Sequence, residues 1–257
     1  MTLNTHAFLA SHYVNMASGL AVTRATAILA RDGLVTFDGV HDRESVVSLA
    51  GRLLSPREHR DADADGVTII SERGSVAGQL GYAGFGAAEL EPHTESSALA
   101  QPPRFLMLVC ALPADHGGES YVVDGAAIYS DLAAHSPRLL QALQEPATVR
   151  FGNPGYWGSV FEPTLDGRIR IRLRLDGLEH FTEPAAEAVP LLRAVISKHV
   201  RELPLRRGQG YLLDNWRMLH GRRSFQGPRL MYRILGDLVA DHDFPLGFQP
   251  PNARAAA

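Results

Sequence analysis

Two histidines and one glutamate are candidate ligands for a metal ion. His93 and Glu95 are separated by a single residue, and His220 follows much later in the chain. In an extended strand, residues i and i+2 point to the same face, so this imidazole and this carboxylate would enter one cavity together. Two histidines and one carboxylate leave three coordination positions open, which is the ligand set of non-haem iron(II) oxygenases. The same donors can hold zinc, so zinc-dependent hydrolysis is an alternative.

Other catalytic motifs are missing from the sequence. It contains no G-x-S-x-G segment, no P-loop and no G-x-G-x-x-G segment. The remaining histidines have no partner at ligand spacing, and we interpret them as surface or structural residues. The chemistry therefore depends on the candidate metal ligands and on the elements that position them.

The first part of the chain alternates between helices and short strands. We predict a helix over residues 20–32, a strand over Leu34–Phe37, a helix from its cap Asp42 to about Leu54, and a strand over Val67–Ser71. Residues 73–91 are rich in glycine and small side chains, and lie just before His93. This segment is either a substrate-entry loop or an ordinary surface loop.

The remaining chain is rich in short strands separated by glycine and proline turns. The predicted strands are Phe105–Ala111 (buried on both faces), Ser120–Val123, Arg168–Leu175, Gly210–Asp214, Met218–His220 and Leu230–Val239. The predicted helices run from Asp124 to about Leu143, with a break near Pro137, and over Pro184–Val200. This pattern predicts a mainly β fold with flanking helices, the double-stranded β-helix or jelly-roll. We expect a single domain over 1–257, with an N-terminal cap at about 18–72 and a jelly-roll core at about 73–245.

The motifs around the candidate ligands resemble those of the taurine dioxygenase and clavaminate synthase-like family. The matching pieces are HTE, PP and GGES in the middle, and LLDNWRMLHGRRSFQGPRLMYRILGD near the end. The resemblance implies a clavaminate synthase-like jelly-roll and an iron(II) site formed by His93, Glu95 and His220. Glu95, where many members have aspartate, is similar to the clavaminate synthase branch, several members of which hydroxylate amino acids or their derivatives.

The same resemblance implies 2-oxoglutarate as cosubstrate and O2 as oxidant. Arg229 matches the arginine that binds the distal carboxylate of 2-oxoglutarate, and Ser120 matches the hydroxyl that assists it. A guanidinium suits this role because it donates two parallel hydrogen bonds to a carboxylate. Arg233 matches an arginine that reaches an acidic group of the substrate; pairing with Asp237 is the alternative. The arginines Arg170, Arg172 and Arg174 are expected to form a solvated strand face rather than the cavity mouth.

The composition limits the partners and the location. The chain of 257 residues is 45% hydrophobic, which permits a sizeable core, and its net charge is −3. That charge predicts no general affinity for nucleic acid or membranes. The only cysteine, Cys110, lies in an apolar run and is expected to be a small core residue, in keeping with a reducing cytoplasm. No signal peptide or membrane span is evident in the sequence.

The expected function is hydroxylation of an unactivated C–H bond in a small, anionic or amino-acid-like substrate of natural-product biosynthesis. Desaturation or ring closure at the same site is an alternative outcome. A catabolic dioxygenase that releases sulfite or a phenol is a second alternative. A silent jelly-roll that binds a small molecule or a protein is a third, from outside enzymes, although it would need neither the triad nor Arg229 and Ser120. Specificity is expected to depend on the segments 73–91 and 152–163 and on the region around Arg233.

Overall fold

The structure is a computed structural model that describes residues 8–74, 78–239, 244–245 and 247–251. Part of the predicted entry loop and part of the segment that follows the last strand lie outside these residues. The helices with both ends described are α1 (Ala21–Asp32), α2 (Arg43–Leu53), α3 (Gly125–His135), α4 (Pro137–Gln144) and α5 (Ala185–His199). The strands are β1 (Leu34–Phe37), β2 (Leu54–Pro56), β3 (Val67–Ile70), β4 (Leu90–His93), β5 (Phe105–Leu112), β6 (His116–Gly117), β7 (Ser120–Asp124), β8 (Val149–Gly152), β9 (Gly155–Gly158), β10 (Phe161–Pro163), β11 (Ile169–Ile171), β12 (Glu179–Phe181), β13 (Arg201–Leu203), β14 (Gly210–Asp214), β15 (Met218–Arg222), β16 (Phe225–Gln226) and β17 (Leu230–Leu238).

Two antiparallel sheets form the centre of the molecule. The larger, six-stranded sheet has the order β1-β14-β5-β17-β2, with β3 also paired to β17. The smaller, four-stranded sheet has the order β13-β7-β15-β4. The N-terminal segment thus contributes three strands to the larger sheet. The prediction of a mainly β jelly-roll with flanking helices is confirmed.

Strand β5 lies at the centre of the larger sheet, between β14 and β17. Leu106 and Met107 point to opposite faces and are both fully buried, as expected for a continuous apolar strand. Cys110 in the same strand is 1% exposed, which agrees with its predicted place in the core. The strand therefore contributes side chains to the packing on both sides of the sheet.

The predicted helices form at the expected places. Asp42 caps α2: its side chain accepts the backbone N–H of Ser45, whose side chain reaches back to the N–H of Asp42. Helix α1 ends at Gly33, which adopts a left-handed φ of 74°. Helices α3, α4 and α5 pack together on one side of the molecule, and Pro137 begins α4 where the break was predicted. Among the described residues, no helix is long and apolar enough to cross a membrane.

The arginine-rich run after Arg168 differs from its prediction. Only Ile169–Ile171 is a strand, and Arg172 is 2% exposed rather than solvated. The Arg172 guanidinium donates to the backbone carbonyls of Ser97, Leu99 and Ala100, which takes the place of water. Arg170 and Arg174 pair with Glu162 and Asp176, respectively. The expected solvated face is therefore wrong for Arg172, because alternation does not reveal backbone partners from a distant segment.

Candidate active site

His93 and His220 lie side by side on neighbouring strands of the smaller sheet. They are direct partners in the β4–β15 ladder, and their ring centroids are 4.3 Å apart. One candidate ligand atom from each of His93, Glu95 and His220 lies within 4.8 Å of the others. Nε2 of His220 is 3.9 Å from Oε2 of Glu95. The structure therefore brings the three predicted ligands together.

Glu95 reaches this cluster in a way that strand alternation does not explain. Strand β4 ends at His93, so Glu95 lies in the turn that follows. The buried side chain of Asn215 holds the Glu95 backbone: its Oδ1 accepts the Glu95 N–H at 2.6 Å, and its Nδ2 donates to the Glu95 carbonyl at 3.0 Å. Thr94 lies between His93 and Glu95 and makes two hydrogen bonds with Leu173. The Thr94 hydroxyl accepts the backbone N–H of Leu173, and the Thr94 backbone N–H donates to the Leu173 carbonyl. Adjacent residues are thus held by different parts of the chain.

The protonation states of the cluster suit a divalent cation. Nδ1 of His93 lies 2.9 Å from the Glu91 carbonyl, which can only accept, so Nδ1 carries a hydrogen and Nε2 is the ring atom that a metal ion would use. Burial lowers the pKa of His220 to about 3, assisted by His93, and keeps its imidazole neutral. Burial alone would raise the pKa of Glu95, but the Arg233 guanidinium and other nearby groups favour the carboxylate, and the pKa falls to about 2. Neutral imidazoles and an ionised carboxylate are the forms that bind metal ions.

Arg233 contacts the cluster directly. Its Nη1 donates to Oε2 of Glu95 at 2.8 Å, and its Nη2 lies 3.3 Å from Nδ1 of His59. Its Nε is buried and has no hydrogen-bond partner among the described residues. The alternative pairing with Asp237 is wrong, since Asp237 pairs with Arg57 at 3.2 Å. The sequence pattern could not distinguish the two acids, because Glu95 approaches Arg233 from the turn after β4, which is distant in the sequence.

One cavity of about 740 Å³ contains the whole cluster. Its wall includes the three candidate ligands together with Ser120, Arg229 and Arg233. The segments 73–91 and 152–163 were expected to determine specificity, and parts of both line this cavity. The lining residues are 80–81, 83–85, 90–91 and 152–154. Asp61, Arg174 and Asp176 add further charged groups to the wall. All six predicted site residues therefore face a common space.

Arg229 is a buried cation without a counterion. It is 8% exposed, and its guanidinium makes no hydrogen bond or ion pair with any residue that the structure describes. The centroid of the Phe225 ring lies 5.7 Å from the guanidinium carbon. Burial lowers the pKa of Arg229. Gly118 makes room for this side chain, because a Cβ there would lie 3.2 Å from Cδ of Arg229. The GG-x-S segment thus places a glycine against Arg229 and the buried Ser120 in the same wall.

Three residues of the site were not predicted from the sequence. His59 was interpreted as surface or structural, yet it lines the cavity and contacts Arg233. Asn215 lies within the matching motif near the end of the chain, but the motif does not predict its contact with Glu95. Tyr211 was read only as part of a strand, although it is fully buried and lines the cavity. Alternation along Gly210–Asp214 could have placed Tyr211 on one face, but not next to Arg229.

A family model and two curated relatives match this chain. The family model described as "Taurine catabolism dioxygenase TauD, TfdA family" matches residues 11–235. Gamma-butyrobetaine dioxygenase of Homo sapiens is 28% identical over 176 residues, which are 60% of this chain and 45% of that protein. The match to the Pongo abelii protein has the same extent. The chain therefore spans less than half the length of these curated relatives.

Solved structures show the same fold. Asparagine oxygenase AsnO superposes with a TM-score of 0.69 at 20% identity, covering 91% of this chain and 86% of that one. The non-heme iron oxygenase OrfP, solved with Fe and alpha-ketoglutaric acid, gives a TM-score of 0.60 at 18% identity over 91% and 89% of the two chains. The match to the family model covers most of the chain, so this protein belongs to the taurine catabolism dioxygenase TauD, TfdA family.

Proposed function

We propose that this protein is an iron(II)- and 2-oxoglutarate-dependent oxygenase that hydroxylates an unactivated C–H bond of a small substrate. The observation that supports it best is the buried guanidinium of Arg229, which has no ion-pair partner among the described residues and lines the cavity that also contains His93, Glu95 and His220. A buried charge without a partner costs several kcal/mol, on the order of what an ion pair with a bound anion would restore. A carboxylate of the cosubstrate is such an anion.

The donor set fits iron(II). His93, Glu95 and His220 would hold it and leave three positions for small molecules. When bound, iron(II) together with 2-oxoglutarate supplies the activation of O2, with oxidation of the cosubstrate to succinate and carbon dioxide. The chain holds the ligand backbone through Asn215 and Thr94 and keeps Glu95 ionised through Arg233. The protein's part is thus to orient the reactants and to exclude water.

Arg229 and Ser120 are the proposed ligands of the distal carboxylate of 2-oxoglutarate. Arg229 offers a planar fork of N–H donors, and Ser120, 2% exposed, lies in the same wall. Neither a zinc hydrolase nor a silent jelly-roll needs an unpaired buried arginine beside a metal cluster. The free guanidinium therefore favours the oxygenase over both alternatives.

We further propose that the substrate is anionic or amino-acid-like, with Arg233 as its partner. Arg233 uses Nη1 for Glu95 and keeps a buried Nε donor without a partner. The cavity size suits a small molecule, and relatives of the chain are named for gamma-butyrobetaine and asparagine. We place this activity in natural-product biosynthesis in the cytoplasm. The alternatives are a catabolic dioxygenase, a desaturase and a cyclase, and analysis of the reaction product would distinguish them.

The test is an anaerobic titration of the metal-free protein with iron(II) and then 2-oxoglutarate, followed by the visible charge-transfer band of the chelate. We expect the band in the wild-type protein and its loss in His93→Ala. Arg229→Ala should shift its appearance to higher 2-oxoglutarate concentration, whereas Arg207→Ala, an exposed arginine outside the cavity, should not. If the wild-type protein gives no band and calorimetry shows no binding, the oxygenase proposal is wrong, and the zinc site or the silent jelly-roll takes its place.

A further inference from the structure

Tyr211 has a buried hydroxyl group that no residue of the described chain satisfies. The side chain is fully buried on β14, and its hydroxyl has no hydrogen-bond partner among the described residues. Leaving a buried hydroxyl unpaired costs about 1–3 kcal/mol, so such groups are rare in folded proteins unless a ligand or water completes them. Tyr211 is one of the residues that line the cavity of the candidate active site.

The surroundings of this hydroxyl point to an anion. Arg229, Ser120 and Glu95 are the neighbouring groups that affect the pKa of Tyr211, and all three line the same cavity as Tyr211. Burial raises that pKa well above its usual range, which keeps the phenol protonated and able to donate. Leu108, the ladder partner of Tyr211 on β5, provides an apolar wall. Two residues with hydroxyl groups and one with a guanidinium thus line the same cavity.

We propose that the Tyr211 hydroxyl donates a hydrogen bond to the distal carboxylate of 2-oxoglutarate, alongside Arg229 and Ser120. This inference rests on the proposed function, because it assumes that Arg229 binds that carboxylate. A carboxylate has two oxygens with about four acceptor positions, so it accommodates the guanidinium fork and two hydroxyl donors together. Tyr211 is then a cosubstrate-binding residue, and its unpaired hydroxyl in the free protein is explained by the ligand.

A buried hydroxyl that waits for a ligand differs from one that supports the fold. Tyr121, 1% exposed on β7, has a hydroxyl that donates to the Leu90 carbonyl at 2.6 Å. Tyr121→Phe is therefore the matched control, since it removes a hydrogen bond that the free protein already makes. Tyr211→Phe removes a group with no partner in the free protein and should leave its stability unchanged or slightly higher.

The experiment is anaerobic calorimetry on the Co(II)-loaded protein with two probes. One is 2-oxoglutarate; the other is 2-oxopentanoate, which has the same chain length but no distal carboxylate. In the wild-type protein we expect a strong preference for 2-oxoglutarate. In Tyr211→Phe, 2-oxoglutarate should bind roughly tenfold or more weakly, while 2-oxopentanoate binds as before. Urea unfolding of the metal-free variants should show a loss of stability for Tyr121→Phe and none for Tyr211→Phe.

Each outcome leads to a different conclusion. If Tyr211→Phe keeps the wild-type preference for 2-oxoglutarate, the inference about Tyr211 is wrong and the proposed function stands. If Tyr211→Phe is less stable than the wild-type protein and weakens both probes equally, Tyr211 is a structural residue and the inference is also wrong. If the wild-type protein shows no preference for 2-oxoglutarate, the proposed cosubstrate site fails, and the inference fails with it.

Discussion

Asn215→Ala should weaken both the fold and the metal site, although Asn215 is not a candidate metal ligand. Its side-chain amide makes three hydrogen bonds: with the N–H and the carbonyl of Glu95, and with the carbonyl of Pro103 at 2.8 Å. Asn215 is 1% exposed, so water cannot easily replace these bonds. At about 1 kcal/mol for each bond, the free energy of unfolding should fall by about 3 kcal/mol. Metal affinity should fall roughly 10–100-fold, as for other residues that hold a ligand in place.

The assay has two measurements on the same variant. Urea unfolding of the metal-free protein gives the free energy of unfolding, and anaerobic competition with a coloured chelator gives the iron(II) affinity. Asn15→Ala is the matched control, because Asn15 is exposed and its side chain accepts only the N–H of Ala17. It should change the unfolding free energy by less than about 1 kcal/mol and leave the iron(II) affinity unchanged.

Asn215→Asp adds a sharper comparison. The aspartate keeps an oxygen for the Glu95 N–H but loses both donated bonds and faces two carbonyl groups. It should be at least as unstable as Asn215→Ala. If Asn215→Ala matches the wild-type protein in both measurements, the side chain of Asn215 neither positions Glu95 nor stabilises the fold.

Three further changes test other parts of the structure. Burial raises the pKa of Asp214 from 3.8 to about 6, so the folded protein binds this proton more tightly than the unfolded chain. The stability that the bound proton contributes is complete below pH 4 and is lost as the pH rises through 6. In urea unfolding, the free energy of unfolding of Asp214→Asn should therefore rise by about 3 kcal/mol relative to that of the wild-type protein between pH 4 and pH 7. Gly221→Ala would place a Cβ 2.4 Å from the Tyr121 ring, and should lower the unfolding free energy by about 1–3 kcal/mol; a wild-type melting temperature would contradict this. Arg172→Ala leaves three carbonyls without their donor and should cost about 3 kcal/mol, which Arg172→Lys should restore only in part; full recovery with lysine would refute the role of the guanidinium fork.

Much of the fold could be predicted because local patterns determine it. The cap at Asp42, the glycine at the end of α1 and the doubly buried strand β5 are all signalled by neighbouring residues. The strand expected to carry both His93 and Glu95 is β4, but β4 ends at His93 and leaves Glu95 in the following turn. The run after Arg168 was predicted too long, because its alternation continues past the last ladder pair.

The site was predictable in its residue types but not in its contacts. Motif resemblance identified six residues that all face one cavity. The partners of those residues come from distant parts of the chain: Asn215 for Glu95, and His59 for Arg233. Tyr211 has no motif of its own, and its unsatisfied hydroxyl is visible only in three dimensions. The division into an N-terminal cap and a core stays a prediction.

The edge position of β4 has a consequence for how iron would enter and leave. In the described part of the smaller sheet, β4 pairs only with β15, so His93 lies on an edge strand whereas His220 lies on an interior one. Separating His93 and Glu95 from His220 requires opening one ladder and the Thr94 and Asn215 contacts, while the larger sheet stays intact. Iron exchange should therefore occur from the folded protein, with a release rate that does not change at low urea concentrations.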